Sequence, residues 1–417
     1  MQLKKQSVRN ALAVGAAAMM GATNSASALP AWDVETGVAT YVEMGGRITV
    51  MELTGVAKTH ISDDKTLKLK VSLDTVTGAS PNGATATSKP QTFTSPSGNT
   101  PYDVKPGDIP LDPTFRDTRV GGSATWEQDI STMVKGNVGI NAGSETDHLS
   151  IGVNGGLSLD MNNRNTTLFA GVSAEWDQVA PVGGVPHRMV TTGPGVVKTV
   201  DSQSDSFTVA DALVGLTQTI SRRMLTQINY SHSLSNGYLS NPYKVLSAVN
   251  GATGETIDYV FENRPGDRTK QSVFWRIKYS FDQDVLDLSY RYMWDSWTIT
   301  SHTAELKYYW ILSSGDRLEP FVRYYTQTAA DFYMPSLVYA DTLPQYASAD
   351  ARLAKFDATT VGILYSMKMD RKSEMGIRLE YYAQKGTDHP AEAIGIQKGY
   401  DLYPETSAFV AQLLWSF

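Results

Sequence analysis

The sequence predicts an all-β fold: a transmembrane, up-and-down antiparallel β-barrel of about sixteen strands, with short periplasmic turns and long extracellular loops. Three observations predict it. Apolar and polar residues alternate with period two along most of the chain, connections alternate between short and long, and the last residue is an aromatic ending a strand with an apolar face.

Period two puts one class of residue on each face of a strand. Leu67, Leu69, Val71 and Leu73 alternate with Lys68, Lys70, Ser72 and Asp74. Leu286, Leu288, Tyr290, Tyr292 and Trp294 alternate with Asp287, Ser289 and Arg291. Leu318, Val322 and Tyr324 alternate with Glu319, Phe321 and Arg323, and Ile377, Leu379 and Tyr381 with Arg378 and Glu380. An amphipathic helix would repeat at three and four instead, and no stretch beyond residue 28 does so. Strands are expected at 36–44, 47–59, 66–76, 116–127, 132–142, 148–160, 166–177, 206–219, 224–234, 268–281, 284–294, 297–310, 317–328, 356–367, 374–384 and 407–417. Sixteen is even, as single-chain bacterial barrels require; the ambiguous first hairpin leaves fourteen or eighteen open.

Connections at 62–64, 128–131, 162–165, 221–223, 282–283, 313–316 and 370–373 are short and rich in turn residues. Those between them are mostly long, at 77–115, 178–205, 235–267, 329–355 and 385–405, with tight ones at 45–46, 143–147 and 295–296. Short turns at one end and long loops at the other mark an outer-membrane barrel, and they place both termini on the periplasmic side. Trp275, Tyr279, Phe281, Tyr290, Tyr292, Trp294, Tyr308, Trp310, Tyr324, Tyr365 and Tyr381 fall mostly on the apolar phase near strand ends, as interfacial girdles require.

The first residues read as an export address. Lys4, Lys5 and Arg9 precede an apolar stretch over 11–22, and Ala26-Ser27-Ala28 supplies small cleavage-site residues. Residues 1–28 are therefore expected to be a Sec-type signal peptide and 29–417 a single barrel domain. Nothing after residue 28 approaches the roughly 20-residue apolar run of a spanning helix. At the other end, Phe409, Ala411, Leu413, Trp415 and Phe417 share one face. This strand resembles the terminal signal that the barrel-assembly machinery of Gram-negative bacteria reads.

Composition excludes several functions. The 417 residues carry 43 acids against 36 bases, a net charge of −7, which argues against nucleic acid as a partner. The absence of cysteine excludes disulfide frameworks, thiolate catalysis, iron–sulfur ligation and cysteine-based zinc sites. No phosphate-binding glycine loop, HExxH, GxSxG or EF-hand loop is present. The six histidines, at 60, 148, 187, 232, 302 and 389, lack local ligand spacing. Asp103, Asp108, Asp112 and Asp117 offer carboxylates for calcium, but their spacing fits a solvated acidic loop facing lipopolysaccharide better. Gly136, Gly139, Gly152, Gly155 and Gly156 read as positions for bending and close packing. His302, with Ser301 and Ser296 nearby, is the best candidate for an outer-wall hydrolase, but no third group positions it. No catalytic residue and no cofactor is assigned.

The inward phase carries rows of mixed charge: Lys68, Lys70 and Asp74; Arg276 and Lys278; Asp287 and Arg291; Glu305 and Lys307; Glu319 and Arg323; Arg378 and Glu380. They fit a pore lining with a transverse field, or a lumen crossed by salt bridges or packed by an inserted loop. The cost of leaving a deep charge unpaired favours pairing between adjacent strands. Loops 77–115 and 235–267 hold apolar and aromatic residues that a freely solvated loop does not need, so they are expected to be ordered, folded against the lumen wall or a partner.

These loops contain Thr77-Gly78-Ala79-Ser80-Pro81-Asn82-Gly83, Gln91-Thr92-Phe93-Thr94-Ser95-Pro96-Ser97-Gly98, Gly237-Tyr238-Leu239-Ser240-Asn241-Pro242-Tyr243-Lys244 and Glu262-Asn263-Arg264-Pro265-Gly266-Asp267. Together with Gly46-Arg47-Ile48-Thr49-Val50 and Arg116-Asp117-Thr118-Arg119, they resemble a proteobacterial family of exported proteins catalogued only as a domain of unknown function. The resemblance spans the whole chain after the signal. It implies an outer-membrane barrel and brings no activity, ligand or functional residue.

The expected function is a channel or transport barrel, or one that docks a periplasmic or surface protein, with loops or paired charges filling much of the lumen. An open general or solute-specific porin is the alternative, and an outer-membrane enzyme ranks below both. The expected surroundings are outer-membrane lipid and lipopolysaccharide. Phe417→Ser, or deletion of Phe417, should sharply lower the amount of heat-modifiable barrel in outer-membrane fractions. Assembly at the wild-type level would disprove this reading of the C-terminus.

Overall fold

The computed structural model describes residues 32–94, 101–192, 199–339, 342–370 and 373–417; the export signal expected at 1–28 and the start at Leu29 lie outside them. Sixteen strands close into one antiparallel barrel. They are β1 (Trp32–Glu43), β2 (Ile48–Ser62), β3 (Lys65–Pro81), β4 (Leu111–Asp129), β5 (Val134–Ser144), β6 (His148–Met161), β7 (Thr166–Val179) and β8 (Asp205–Ser221). There follow β9 (Met224–Gly237), β10 (Asp267–Ser280), β11 (Val285–Asp295), β12 (Thr300–Ile311), β13 (Arg317–Gln327), β14 (Phe356–Lys368), β15 (Glu374–Gly386) and β16 (Thr406–Ser416).

Every expected strand is present, but several run further than their apolar alternation. β3 continues to Pro81 through Thr77 and Ser80, and β4 begins at Leu111 and passes Asp112 and Thr114. These extensions belong to the long-loop end, where polar residues replace the apolar set while the backbone ladder goes on. β1 starts at Trp32, four residues early, because Asp33 and Glu35 are polar yet paired with Lys58 and Val56.

Closure follows from the solvent. A strand in hydrocarbon cannot satisfy its own amides, so each must find a neighbour and the sheet cannot keep an edge. The seam joins β1 to β16, Glu35 opposite Ser416 through Glu43 opposite Ala408. Val34 and Phe417 complete it, each donating its amide to the other's carbonyl at 2.9 Å.

The faces are those the alternation predicts. Leu288 is 43% exposed on the outside, whereas Asp287 beside it is 4% exposed within. Phe409, Leu413 and Trp415 all face outward, Phe409 at 57%. Outward aromatics touch one another near strand ends, as in Tyr279 with Phe281 (5.0 Å), Tyr381 with Phe409 (5.2 Å) and Trp415 with Phe417 (5.8 Å). No described helix is long and apolar enough to cross a membrane; the described helices are three short 3-10 turns.

The densest apolar packing is outside the barrel. The long loops were expected to fold against the lumen wall or a partner; instead they fold chiefly against one another, forming a cap. Residues 245–249 pair with 256–261 and with 337–338, which joins two loops in one sheet. Phe93, Tyr102 and Val104 from the first long loop pack on Val245 and Phe261 from another. Leu246, Val260, Leu337 and Ala347 form a second cluster; Trp297, Ile299, Ala330, Phe332 and Leu353 form a third. Each fully buried aliphatic side chain contributes roughly 1.5–3 kcal/mol, which no single loop could gather alone. Read one loop at a time, the sequence hides that each loop supplies the others' apolar partners.

Two glycines release the chain into this cap. Gly78 (φ 133°) and Gly237 (φ 123°) adopt conformations that side chains disfavour. A Cβ on Gly78 would lie 2.0 Å from the Arg47 carbonyl oxygen, and one on Gly237 would lie 2.4 Å from that of Ser206.

Leu288→Arg should destabilise the barrel by about 2–4 kcal/mol, the mid-membrane cost of a cation facing lipid, while Ser289→Arg on the lumen side should cost far less. Refolding titrations compare them, and equal effects would mean that the two faces have been interchanged.

Candidate functional site: the lumen and the chamber under the cap

Register builds the lumen wall. Lys278 of β10 lies opposite Asp287 of β11, which lies opposite Lys307 of β12. The Arg276 guanidinium grips Asp287 with both arms, Nε to Oδ1 at 2.7 Å and Nη2 to Oδ2, while Lys278 Nζ is 3.6 Å from Oδ2. This fork fixes a carboxylate that would be costly to bury alone.

The pairing differs in part from the expected exchange between adjacent strands. Glu305 lies opposite Arg323 but pairs with Lys307 of its own strand at 3.1 Å. Arg378 likewise meets Glu380 at 3.7 Å. Arg317 reaches Glu319 at 3.9 Å on its own strand and Glu374 of β15 at 3.1 Å. Positions i and i+2 share a face, so a long cation can fold along its strand instead of crossing to the next. Arg291 lies over the Phe274 ring at 5.5 Å and is exposed, as are Arg323, Lys68 and Lys70. Lys68 lies opposite Lys58, and Asp74 opposite Arg119. The charge rows are therefore partly paired and partly exposed.

The cap and the wall that carries Arg323 and Glu380 of these rows border a cavity of about 990 Å³. The barrel contributes Tyr41, Arg323 and Tyr382 to it, and the cap contributes Asn82, Lys244 and Asp350. A second cavity of about 440 Å³, against β2 to β5, is lined by Glu52, Lys70, Asp74, Asp117, Arg119 and Glu145. Asp117 and Glu145 border both.

Asp117, Glu145 and Asp147 bring carboxylate oxygens within 4.8 Å of one another. Thr146 donates to Asp117 at 2.9 Å, Arg119 lies 3.6 Å from Glu145, and the Tyr243 hydroxyl of the cap donates to Asp147. Of the four loop aspartates singled out in the sequence, Asp117 alone belongs to this group. Asp112 is buried with Thr114, and Asp103 accepts from Thr92 at 2.7 Å. In the sequence 143–147 is only a tight turn, since nothing local shows that Asp117 comes beside it.

The underside of the cap is organised by buried ions. Arg264 donates to Asp350 at 2.8 Å and to Glu262 at 3.1 Å. Ser348 also donates to Glu262, as does the Asn241 amide at 2.5 Å, and Lys244 donates to the Pro81 carbonyl. Burial alone would raise the Asp350 carboxyl, but Lys244, Arg352 and Arg264 outweigh it and hold the group well below the usual carboxylate range. At Glu262 burial prevails and raises the carboxyl despite Arg264; at Lys244 burial lowers the ammonium. The hydrogen bonds of Glu262, Arg264 and Lys244 tie the loops 238–244 and 262–268 to each other and to the rest of the cap.

The outer-wall hydrolase arrangement is absent at the positions proposed for it. The His302 ring lies on the outside with Nδ1 2.6 Å from the Tyr290 hydroxyl, while Ser301 is buried on the opposite face. Adjacent strand residues point apart, so serine and histidine there cannot form a dyad.

Comparison with known proteins assigns the chain to a family. Residues 9–417 match the family described as a protein of unknown function, DUF3570, and the chain belongs to it. No curated protein matches the sequence. Among solved structures, it is similar to a bacterial polysaccharide outer membrane secretin at 9% identity and TM-score 0.46, over 93% of this chain and 99% of that one. It is similar to Pseudomonas putida OprB at 10% identity and TM-score 0.42, over 93% of each chain. The siderophore receptor PirA from Acinetobacter baumannii matches at 9% identity and TM-score 0.42, over 94% of this chain and 81% of that one.

Asp350→Ala leaves Arg264 buried with Glu262 as its remaining acid. It should cost the cap about 3–5 kcal/mol, the effect of breaking a buried pair, while the barrel persists. Hydrogen exchange resolves the two: protection at 245–261 should fall and protection in β10 to β12 should not. Unchanged protection at 245–261 would show that the ion cluster does not hold the cap.

Proposed function

We propose, for this member of the DUF3570 family, an outer-membrane channel for small polar solutes whose outer mouth is roofed by its own loops. The observation that carries this reading is the cavity of about 990 Å³ shared by the upper lumen wall and the cap, with Arg323, Lys244 and Asp350 among its lining residues. A volume of that size suits a small-molecule chamber. The exposed charges of the lumen wall support passage of water and solute, and the apolar outer face supports residence in a bilayer. Solute reaches the lumen through this chamber, under a roof that excludes large molecules. The barrel-assembly machinery inserts the chain, with lipopolysaccharide around the cap.

A docking barrel is the second reading. Val338 and Tyr339 on the cap are 48% and 44% exposed, a surface that a partner protein could cover.

Reconstitution in planar bilayers separates the readings. The channel should give stepwise conductance, and Asp287→Ala, which frees Arg276 and Lys278, should shift selectivity toward anions. That variant should lose about 1.5–3 kcal/mol of stability, the worth of hydrogen bonds to a charged group, because water can hydrate the two partly exposed cations. A wild-type barrel that inserts and stays silent would refute the channel and favour docking.

A further inference from the structure

The inner face of β5 to β9 is built differently from the rest of the lumen. On β5 and β6 the inward positions at 137–141 and 152–156 are asparagine and glycine in alternation, β9 adds Asn229, and each of these asparagines stands across from a glycine of a neighbouring strand. Asn137 lies opposite Gly156, Asn141 opposite Gly152, Asn154 opposite Gly139, and Asn229 opposite Gly215. The amides fill the space where the glycines would carry a side chain. A Cβ on Gly139 would meet Asn154 Oδ1 at 2.8 Å, one on Gly152 would meet Asn141 Oδ1 at 2.7 Å, and one on Gly215 would meet Asn229 Oδ1 at 2.6 Å. Each of these three amides therefore lies flat along the wall; at Gly156 the Asn137 amide is 3.2 Å away. The Phe169 ring does the same over Gly156 and Gly171, at 3.1 and 3.0 Å.

Glycine inside a strand weakens it and marks a place where something approaches closely. Here what approaches is a polar or aromatic group laid down without narrowing the bore. The facing wall, β10 to β15, carries arginine, lysine, tyrosine and phenylalanine, whose longer side chains take up more of the bore than the asparagines and glycines of β5 and β6. On β5, β6 and β9 this lining offers neutral amides, which are both donors and acceptors, while the acids Glu175, Asp177 and Asp211 stand on the inward face of β7 and β8. The nearest acids are engaged by neutral groups: Asn141 donates to Glu175 at 2.8 Å and Ser173 to Asp211 at 3.1 Å.

One row is complete. Phe169 lies opposite Gly215, Gly215 opposite Asn229, and Asn229 opposite Phe274. The row places ring, amide and ring across three strand spacings, roughly 14 Å of wall. Apolar C–H faces suit aromatic rings, and hydroxyls suit amides. We propose that this wall is a track for an uncharged polyhydroxylated solute, a mono- or short oligosaccharide in chemical class, with Phe169, Asn229 and Phe274 as its contact row. The inference rests on the channel reading and names the solute class for that same lumen.

The test uses the full-length protein in planar bilayers, with raffinose as neutral probe and lysine hydrochloride as charged control. Raffinose should interrupt the ionic current of the wild type more effectively than lysine hydrochloride at equal concentration. Phe169→Ala and Asn229→Ala should each raise the raffinose concentration for half-block about tenfold relative to the wild type. Asn154→Asp, nearly isosteric, decides the matter if Phe169→Ala assembles poorly; its added charge should weaken raffinose block and strengthen that of lysine. A wild type that conducts but ignores raffinose, or variants blocked as well as wild type, would overturn the track and leave the channel standing. Absence of any conductance would overturn both.

Discussion

The pairing of β1 with β16 is the contact on which the rest of the molecule depends. Hydrocarbon offers no partner to a backbone amide, so one unpaired edge would leave a row of groups each costing several kcal/mol. Glu35 through Glu43 meet Ala408 through Ser416, and Val34 meets Phe417, so the chain's last residue completes the wall. The C-terminal aromatic thus combines two roles: its backbone closes the seam, and its ring stands with Trp415.

Closure creates two solvents, and the side chains divide accordingly. The outer face accepts lipid with Leu, Val, Ile and aromatic residues. The inner face holds water, and charges survive there because they are paired, hydrated, or both. Asp287 between Arg276 and Lys278 is the tightest case; Arg291 and Arg323 show the opposite limit, where water supplies much of the solvation. The lumen is also uneven. Long cations and rings crowd one wall, while on β5, β6 and β9 asparagines are laid over glycines.

The cap solves a separate problem. Five of the connections at the outer end are too long to be simple turns, and each carries apolar residues without a core of its own. They find one together, in a small sheet and three apolar clusters over the mouth, with Glu262, Arg264 and Asp350 as its charged underside. What sits over the barrel is a packed layer whose polar lower surface becomes the ceiling of the chamber.

The sequence by itself determined the barrel. Period-two alternation and the asymmetry of turns give about sixteen strands and their inner and outer faces, because these follow from backbone geometry and from burial on one face; closure of the sheet settles the count at sixteen. They also placed Leu288 outside, Asp287 inside and Phe417 at the end. Only the tertiary structure decided which groups meet. Glu305 faces Arg323 in register yet binds Lys307, Asp117 joins Glu145 and Asp147 across a turn, and Leu246 finds Leu337 in another loop. Those partners are set by shear, side-chain reach and loop-on-loop packing. The asparagine–glycine alternation at 137–156 was visible in the sequence, but its meaning was not: only register shows each amide resting on a glycine of the next strand.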